Sequence, residues 1–135
     1  MEPAERSACP CGSRLRYANC CGLWHAGEQQ LQAPDAERLM RSRYSAYVLG
    51  QQDYLLATWH SGTRPAHLDP SDPAVRWLGL EVRRHVENGR DQAQVEFVAR
   101  SKVGGQARRL HELSRFVRDA GRWYYVDGEL LGRPR

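Results

Sequence analysis

Hydrophobic positions along the chain change period once, shortly after Pro73. Ahead of that point Ala36, Leu39, Met40, Tyr44, Tyr47 and Val48 recur at helical spacing, with Asp35 placed as an N-cap and Gly50 as a stop. A second short helix starts at Asp53 and presents Leu55, Leu56 and Trp59 inward, with His60 at its end. Pro65, Pro70 and Pro73, set among Ser, Thr and Asp, then predict a loop with one turn of helix from Asp72. Beyond it the period becomes two. Leu78, Leu80 and Val82 alternate with Gly79, Glu81 and Arg83; after Asn88-Gly89 as a two-residue turn, Ala93, Val95, Phe97 and Ala99 line one face of the next strand. Gly104-Gly105 turns the chain again, and Leu110, Glu112, Ser114 and Phe116 share a face between Arg109 and Arg118. After Ala120-Gly121 a last strand offers Trp123, Tyr125 and Asp127. Two helices followed by a four-stranded antiparallel meander predict an α+β domain over 35–135.

The preceding residues follow neither period. All four cysteines of the 135-residue chain fall within CPCGSRLRYANCC, Cys9 to Cys21, as C-x-C, eight residues, then C-C. Cys9, Cys11, Cys20 and Cys21 can converge on one tetrahedral Zn²⁺, so residues 1–25 read as a structural zinc knuckle and Ala26 to Pro34 as a linker. Pro10 and Gly12 suit the tight turn that a one-residue gap demands. Adjacent cysteines face one ion only where the backbone bends or turns helical. If Tyr17 to Leu23 is a helical turn, His25 shares a face with Cys21 and is a reserve ligand.

A length of 135 residues suits one compact domain with a small appended module. No run of eighteen apolar residues occurs, and MEPAERSACP has no secretory pattern, so the expected location is the cytoplasm, without membrane insertion. Thiols stay reduced there, which favours a metal over the rival readings of a Cys20-Cys21 redox pair or two disulfides. With four thiolates and a divalent ion, the formal charge of +4 drops to +2. Arg6, Arg14 and Arg16 surround the knuckle, Arg83, Arg84 and Arg90 flank a hairpin, and Arg108 and Arg109 stand together. Acidic residues are interspersed, which fits a solvated surface better than a nucleic-acid stripe. His85 and His111 are expected to be exposed.

CPCGS followed by Tyr17 and CCG resembles the SEC-C motif, a small zinc-binding module also found at the end of the SecA translocation ATPase. That resemblance implies Cys9, Cys11, Cys20 and Cys21 as the ligands and His25 as a bystander. LMRSRYSAY from Leu39, TWH from Thr58, WLGL from Trp77 and the run from Ser114 to Gly128 resemble the YchJ-like bacterial proteins, a SEC-C family of uncharacterised function. What this implies is a nuclear transport factor two-like main domain: a curved antiparallel sheet wrapped around helices, with a concave mouth.

Such a mouth is the default place for a ligand, and Tyr44, Tyr47, Trp59, His60, Glu112 and Arg115 are its candidate residues. Glu112 reads either as a general acid or base or as one half of a structural ion pair, with Arg43, Arg115 or a tyrosine hydroxyl as partner. His60 is weighed between proton transfer and a helix C-cap. The aromatic residues suit a planar ligand but are more often core. No Ser-His-Asp order, phosphate loop or carboxylate pair with metal spacing is present. Three functions follow. The first is an adaptor whose knuckle presents Arg14, Arg16 and Tyr17 to a protein partner, with the SecB chaperone or the ribosome implied by analogy to SecA. The second is a small-molecule binder or enzyme using the mouth, and the third is nucleic-acid binding through the arginines.

Overall fold

The structure, a computed structural model, describes residues 7–132. Arg6 lies outside the described residues. Three helices, α1 (Gly22–His25), α2 (Ala36–Leu49) and α3 (Gln52–Ala57), precede four strands, β1 (Val75–Glu87), β2 (Gln92–Val103), β3 (Gln106–Asp119) and β4 (Arg122–Leu130). The strands form one antiparallel sheet in chain order. No described helix is long and apolar enough to cross a membrane.

Helix α2 starts where Asp35 accepts a hydrogen bond from the Arg38 N–H at 2.8 Å, and ends at Gly50, whose φ of 71° is the left-handed conformation that closes helices. Ala36, Leu39, Met40 and Tyr44 are buried, whereas Val48 is exposed. Ser42, Arg43 and Ser45 are buried instead, so this helix turns polar groups inward on two sides. Helix α3 stops at Ala57, and Trp59 continues past it as a parallel bridge to Tyr125. The segment from Thr58 to His60 is thereby hydrogen-bonded to β4 rather than helical.

Three register shifts interrupt the sheet, at Leu78 and Arg83 on β1 and at Val126 on β4, and the first and last of them move faces that alternation assigns. Trp77 pairs with Ser101 and Gly79 with Arg100, leaving Leu78 unmatched and 51% exposed, so the inward set is Trp77, Leu80 and Val82. On β4 Tyr125 pairs with Phe116 but Asp127 pairs with Arg115, which turns Asp127 to the outer face and leaves Gly128 opposite Ser114. The turn at Gly104-Gly105 forms as expected, with φ of 57° and 84°. Around Asn88-Gly89 the loop is longer than two residues, closed by the Asn88 N–H on the Gln92 carbonyl at 2.8 Å. Asp72 makes a turn with Val75, not a turn of helix. The histidines on the sheet are half-buried, not exposed: His111 sits 2.7 Å from Glu96, and His85 lies 3.8 Å from Glu37.

The core is continuous across the expected domain boundary. Cys9, Cys11 and Cys21 belong to the same buried cluster as Leu39, Met40, Tyr44, Val95, Phe97 and Phe116. Ala33, within the segment read as a linker, is buried in that cluster, and Leu31 packs beside Ala46, Tyr54 and Leu55. Residues 26–34 therefore pack against the body. A knuckle too small for its own core uses the apolar side of α2 as its floor.

Candidate functional site

The thiol cluster is built by local turns. The Cys9 N–H bonds the Leu15 carbonyl at 2.9 Å and the Tyr17 N–H bonds the Ser7 carbonyl at 2.8 Å, folding the chain back around Pro10 and Gly12. A 3-10 turn over Tyr17–Asn19 follows, and the backbone then changes direction between Cys20 (φ −134°, ψ −114°) and Cys21 (φ −62°, ψ −28°). That change brings two neighbouring side chains to one point. A Cβ at Gly22 would stand 2.7 Å from the Tyr17 carbonyl oxygen, so the residue after the cysteine pair has no room for a side chain.

All four sulfurs lie within 4.8 Å of one another, with Cys11 Sγ 3.7 Å from Cys20 Sγ. Tetrahedral zinc with bonds of about 2.3 Å sets its sulfurs about 3.8 Å apart, so the cluster has the dimensions of a metal site. The four cysteines are free thiols. Hydrogen bonds among them divide the protons unequally: those from Cys21 draw the Cys11 thiol far down and the Cys20 thiol down to about 6, while Cys21, bonded to Cys11, is pushed far up. Cys9 is also raised, chiefly by Cys11. With its thiols deprotonated, a cluster this tight could hold a cation between the sulfurs.

Hydroxyls outside the cluster face the sulfurs. Ser13 Oγ accepts from the Leu15 N–H at 3.2 Å, which leaves its own proton for Cys20 Sγ at 3.1 Å. Ser45, fully buried on α2, donates to Cys21 Sγ at 3.3 Å. Arg41 Nη1 donates to the Cys11 carbonyl at 3.0 Å and its Nε to Glu37 at 3.1 Å. Such contacts orient ligands and stabilise thiolates.

His25 is not among these donors. Its Nε2 lies 2.8 Å from the Ser42 carbonyl, which only accepts, so Nε2 carries the proton and Nδ1 accepts from the Tyr17 hydroxyl at 2.6 Å. Burial lowers its pKa, in keeping with a neutral ring. The polar seam continues from Ser42 Oγ to the Tyr54 hydroxyl at 2.7 Å and from Tyr17 to Gln51 at 3.4 Å. Tyr17, expected on a docking surface, is a half-buried bolt between knuckle and body; Arg14 and Arg16 are exposed, with Leu15 between them 53% exposed.

A second constellation lies between α2 and the sheet, around a cavity of about 310 Å³. Tyr44, Tyr47, Trp59 and Glu112 line it, together with Arg43, Trp77, Ser114 and Tyr125. His60 and Arg115 do not. The His60 ring accepts from the Gly62 N–H at 3.1 Å and packs edge-on to Tyr124, because its backbone is tied to β4. Its expected helix-capping role is not found either, since α3 ends three residues earlier. Arg115 turns to the outer face, as alternation with Ser114 and Phe116 on β3 dictates, and the β4 bulge sets Asp127 at 2.7 Å and Glu129 at 3.8 Å from it.

Arg43 dominates the cavity wall. Its guanidinium is buried, donates to the Leu55 carbonyl at 2.8 Å and Thr58 Oγ1 at 2.7 Å, and lies over the rings of Trp59 and Tyr125 at 5.0 and 4.6 Å. Desolvation pulls its pKa down, opposed by Tyr47, Tyr125, Tyr54 and Glu112; a guanidinium stays charged regardless. Of the partners named for Glu112, a tyrosine hydroxyl holds it rather than Arg43 or Arg115: Ser114 Oγ donates to its Oε2 at 2.6 Å and the Tyr125 hydroxyl at 3.3 Å. The carboxylate leans over Gly128, where any Cβ would collide with it. Burial, and then the Glu112 charge, raises the Tyr125 phenol, and burial alone leads the rise of Tyr44 to about 12. One signal for Arg43 was legible in the sequence: it sits between Met40 and Tyr47 on the apolar stripe of α2, where a charge is out of pattern.

Residues 35–128 match the family described as "YchJ, middle NTF2-like domain", and residues 7–23 match the SEC-C motif. The chain belongs to the YchJ-like family. A UPF0225 protein of Methylibium petroleiphilum is 64% identical over 90% of this chain and 88% of its own length, and one of Bordetella parapertussis is 58% identical over 95% and 96%. Among solved structures, that of a SEC-C motif containing protein from Rhodopseudomonas palustris matches with a TM-score of 0.79 at 36% identity, covering 93% of this chain and all of that one. A SEC-C motif containing protein from Psychrobacter arcticus matches with a TM-score of 0.77 at 31% identity, over 97% and 86%. The YchJ-like α+β domain and the SEC-C motif thus meet on α2, whose Ser45 faces the sulfurs and whose Arg43, Tyr44 and Tyr47 face the cavity.

Proposed function

We propose that this YchJ-like protein is a zinc-braced cytoplasmic binding protein whose α+β domain takes up a compact, flat, largely apolar organic molecule carrying one polar group. The observation that supports it is the presence of both Glu112 and Arg43, each held by its own partners, on the wall of an otherwise mainly aromatic cavity. A volume of about 310 Å³ stands at the lower limit for small-molecule sites, which favours a ligand of one or two rings. The carboxylate and guanidinium orient its polar group, and the tyrosine and tryptophan faces carry the remainder. Among the described residues lining the cavity no group is positioned as a nucleophile with its own base, and the function proposed is binding. Zn²⁺ on Cys9, Cys11, Cys20 and Cys21 acts structurally, holding the floor of α2 on which the cavity wall depends.

The test is a ligand-observed NMR screen of small aromatic amines and acids against the full chain and the Ala99→Phe variant, which fills the cavity. Molecules bound by the wild type and released by Ala99→Phe and by Glu112→Gln support the reading. An identical bound set for all three proteins overturns it.

Exposed Leu15 between Arg14 and Arg16 favours a second reading, in which the knuckle docks a protein partner. An apolar side chain framed by two cations is an anchor with a basic rim. Under this reading, Leu15→Ser with Arg14→Glu abolishes capture of a partner while the zinc content is unchanged; undiminished capture would refute it.

A further inference from the structure

Besides the outer edges of β1 and β4, the inner strand β3 is left without a neighbour on one side over part of its length among the described residues. Pairing between β3 and β4 runs from Asp119 with Arg122 to Glu112 with Leu130, and the last bond joins the Leu131 N–H to the His111 carbonyl at 2.8 Å. Strand β3 extends further, to Gln106, and remains paired with β2 through to Gln106 with Val103. Backbone groups alternate sides along a strand, and no bulge interrupts β3 here, so those of Ala107 and Arg109 project to the same side as the His111 carbonyl. Among the described residues they have no strand opposite them. An open edge of this kind is a template for another strand, and folded proteins normally cover or blunt it.

The surroundings add chemistry to the edge. A groove of about 840 Å³ runs beside it, lined by Arg108, Arg109, Leu110 and Leu130 among others. Both leucines are exposed, at 37% and 69%. Among the described residues no carboxylate pairs with Arg108 or Arg109, in contrast to Arg83, Arg100, Arg115 and Arg118, each of which has an acidic partner. Leu110 and Trp77 line this groove and the cavity alike, so whatever seats here borders the cavity mouth.

The geometry points to a β-augmentation site: the free edge of β3 from Gln106 to Leu110 accepts an extended acidic peptide segment as a fifth strand. The Ala107 and Arg109 backbone groups supply the ladder, Arg108 and Arg109 on opposite faces of the strand attract carboxylates, and Leu110 with Leu130 takes an apolar side chain. A second copy of this chain does not fit the edge, because antiparallel self-pairing sets its own arginines against one another. Nucleic acid does not fit the backbone groups, which are spaced for a peptide.

The experiment uses the full zinc-loaded chain, labelled for amide NMR. The probe is a capped peptide of about eight residues, half glutamate and half valine, with a lysine-for-glutamate peptide and a single-stranded oligonucleotide as controls. Expected are shifts confined to 106–111 and the end of β4, exchange of the Arg109 amide slowed at least tenfold, and affinity at least about tenfold weaker for the lysine peptide. Arg109→Pro removes an edge donor that faces away from β2, so it should lower affinity about tenfold or more and leave the β1 and β2 signals in place. Should that variant fail to fold, Arg108→Glu with Arg109→Glu must reverse the preference between the two peptides. Ala107 and Arg109 amides already slow to exchange in the free protein, unaltered affinity in the variant, or the same shifts produced by the oligonucleotide would each overturn the assignment.

Discussion

The thiol cluster and the cavity share one helix and little else. The cluster is a local object: its four sulfurs come from thirteen consecutive residues, and turns within that stretch aim them. The cavity gathers residues from Met40 to Tyr125 and exists only once α2, the segment after α3 and all but the last few residues of the sheet are in register. The difference teaches where each site is vulnerable. A local cluster fails when a ligand is lost, whereas a long-range site fails when register or a single close approach is disturbed. Their point of contact is α2, with the Ser42 carbonyl and the Ser45 hydroxyl turned to the knuckle and Arg43, Tyr44 and Tyr47 to the cavity, so damage to one site should reach the other by a definite route.

The strongest way to break the comparison is to remove a sulfur. Cys21→Ser should abolish stoichiometric zinc and lower the melting midpoint by roughly 10–20 °C, because the knuckle has no core of its own and its buried face covers α2. Metal analysis together with thermal melting checks this; a zinc-free variant that melts like the wild type would make the cluster incidental to the fold. Next in size is Arg43→Met. It should cost about 3 kcal/mol in urea unfolding, by removing the bonds that Arg43 gives the Leu55 carbonyl and Thr58 Oγ1, and leave the zinc content unchanged.

His25→Phe tests the seam between the two regions. It keeps ring volume but removes both hydrogen bonds, so a loss of about 2 kcal/mol is expected with full zinc occupancy. Loss of zinc in that variant would show His25 to be a ligand after all. The smallest effect, about 1–2 kcal/mol, is expected for Gly128→Ala, whose methyl group displaces the Glu112 carboxylate. Adding Glu112→Ala should restore most of that loss, and simple additivity of the two changes in a double-mutant cycle would disprove the contact.

Most of the fold was legible because its elements are locally consistent. Asp35 and Gly50 bound α2, Gly104-Gly105 sets a hairpin, and alternation marks the inward faces of β2 and β3. Misreadings cluster where the backbone adds a residue. The bulge at Leu78 and the one near Val126 each flip the faces that simple alternation assigns, which exposes Leu78 and carries Asp127 out of the cavity. His60 was misplaced for a related reason: a bridge to β4 replaced the last turn of a helix. In each case a long-range backbone bond overrode a short-range period.

The sequence by itself determined the sulfur cluster, the order of helices and strands, and the turns between them, since caps, glycines and neighbouring cysteines act over distances of a few residues. Only the tertiary structure decided which polar groups go inside: Arg43 against the rings of Trp59 and Tyr125, Glu112 against Gly128, and Ser45 beside Cys21. Burying a charge or a hydroxyl is favourable only when its partners arrive from elsewhere in the chain, and no local pattern reports that meeting.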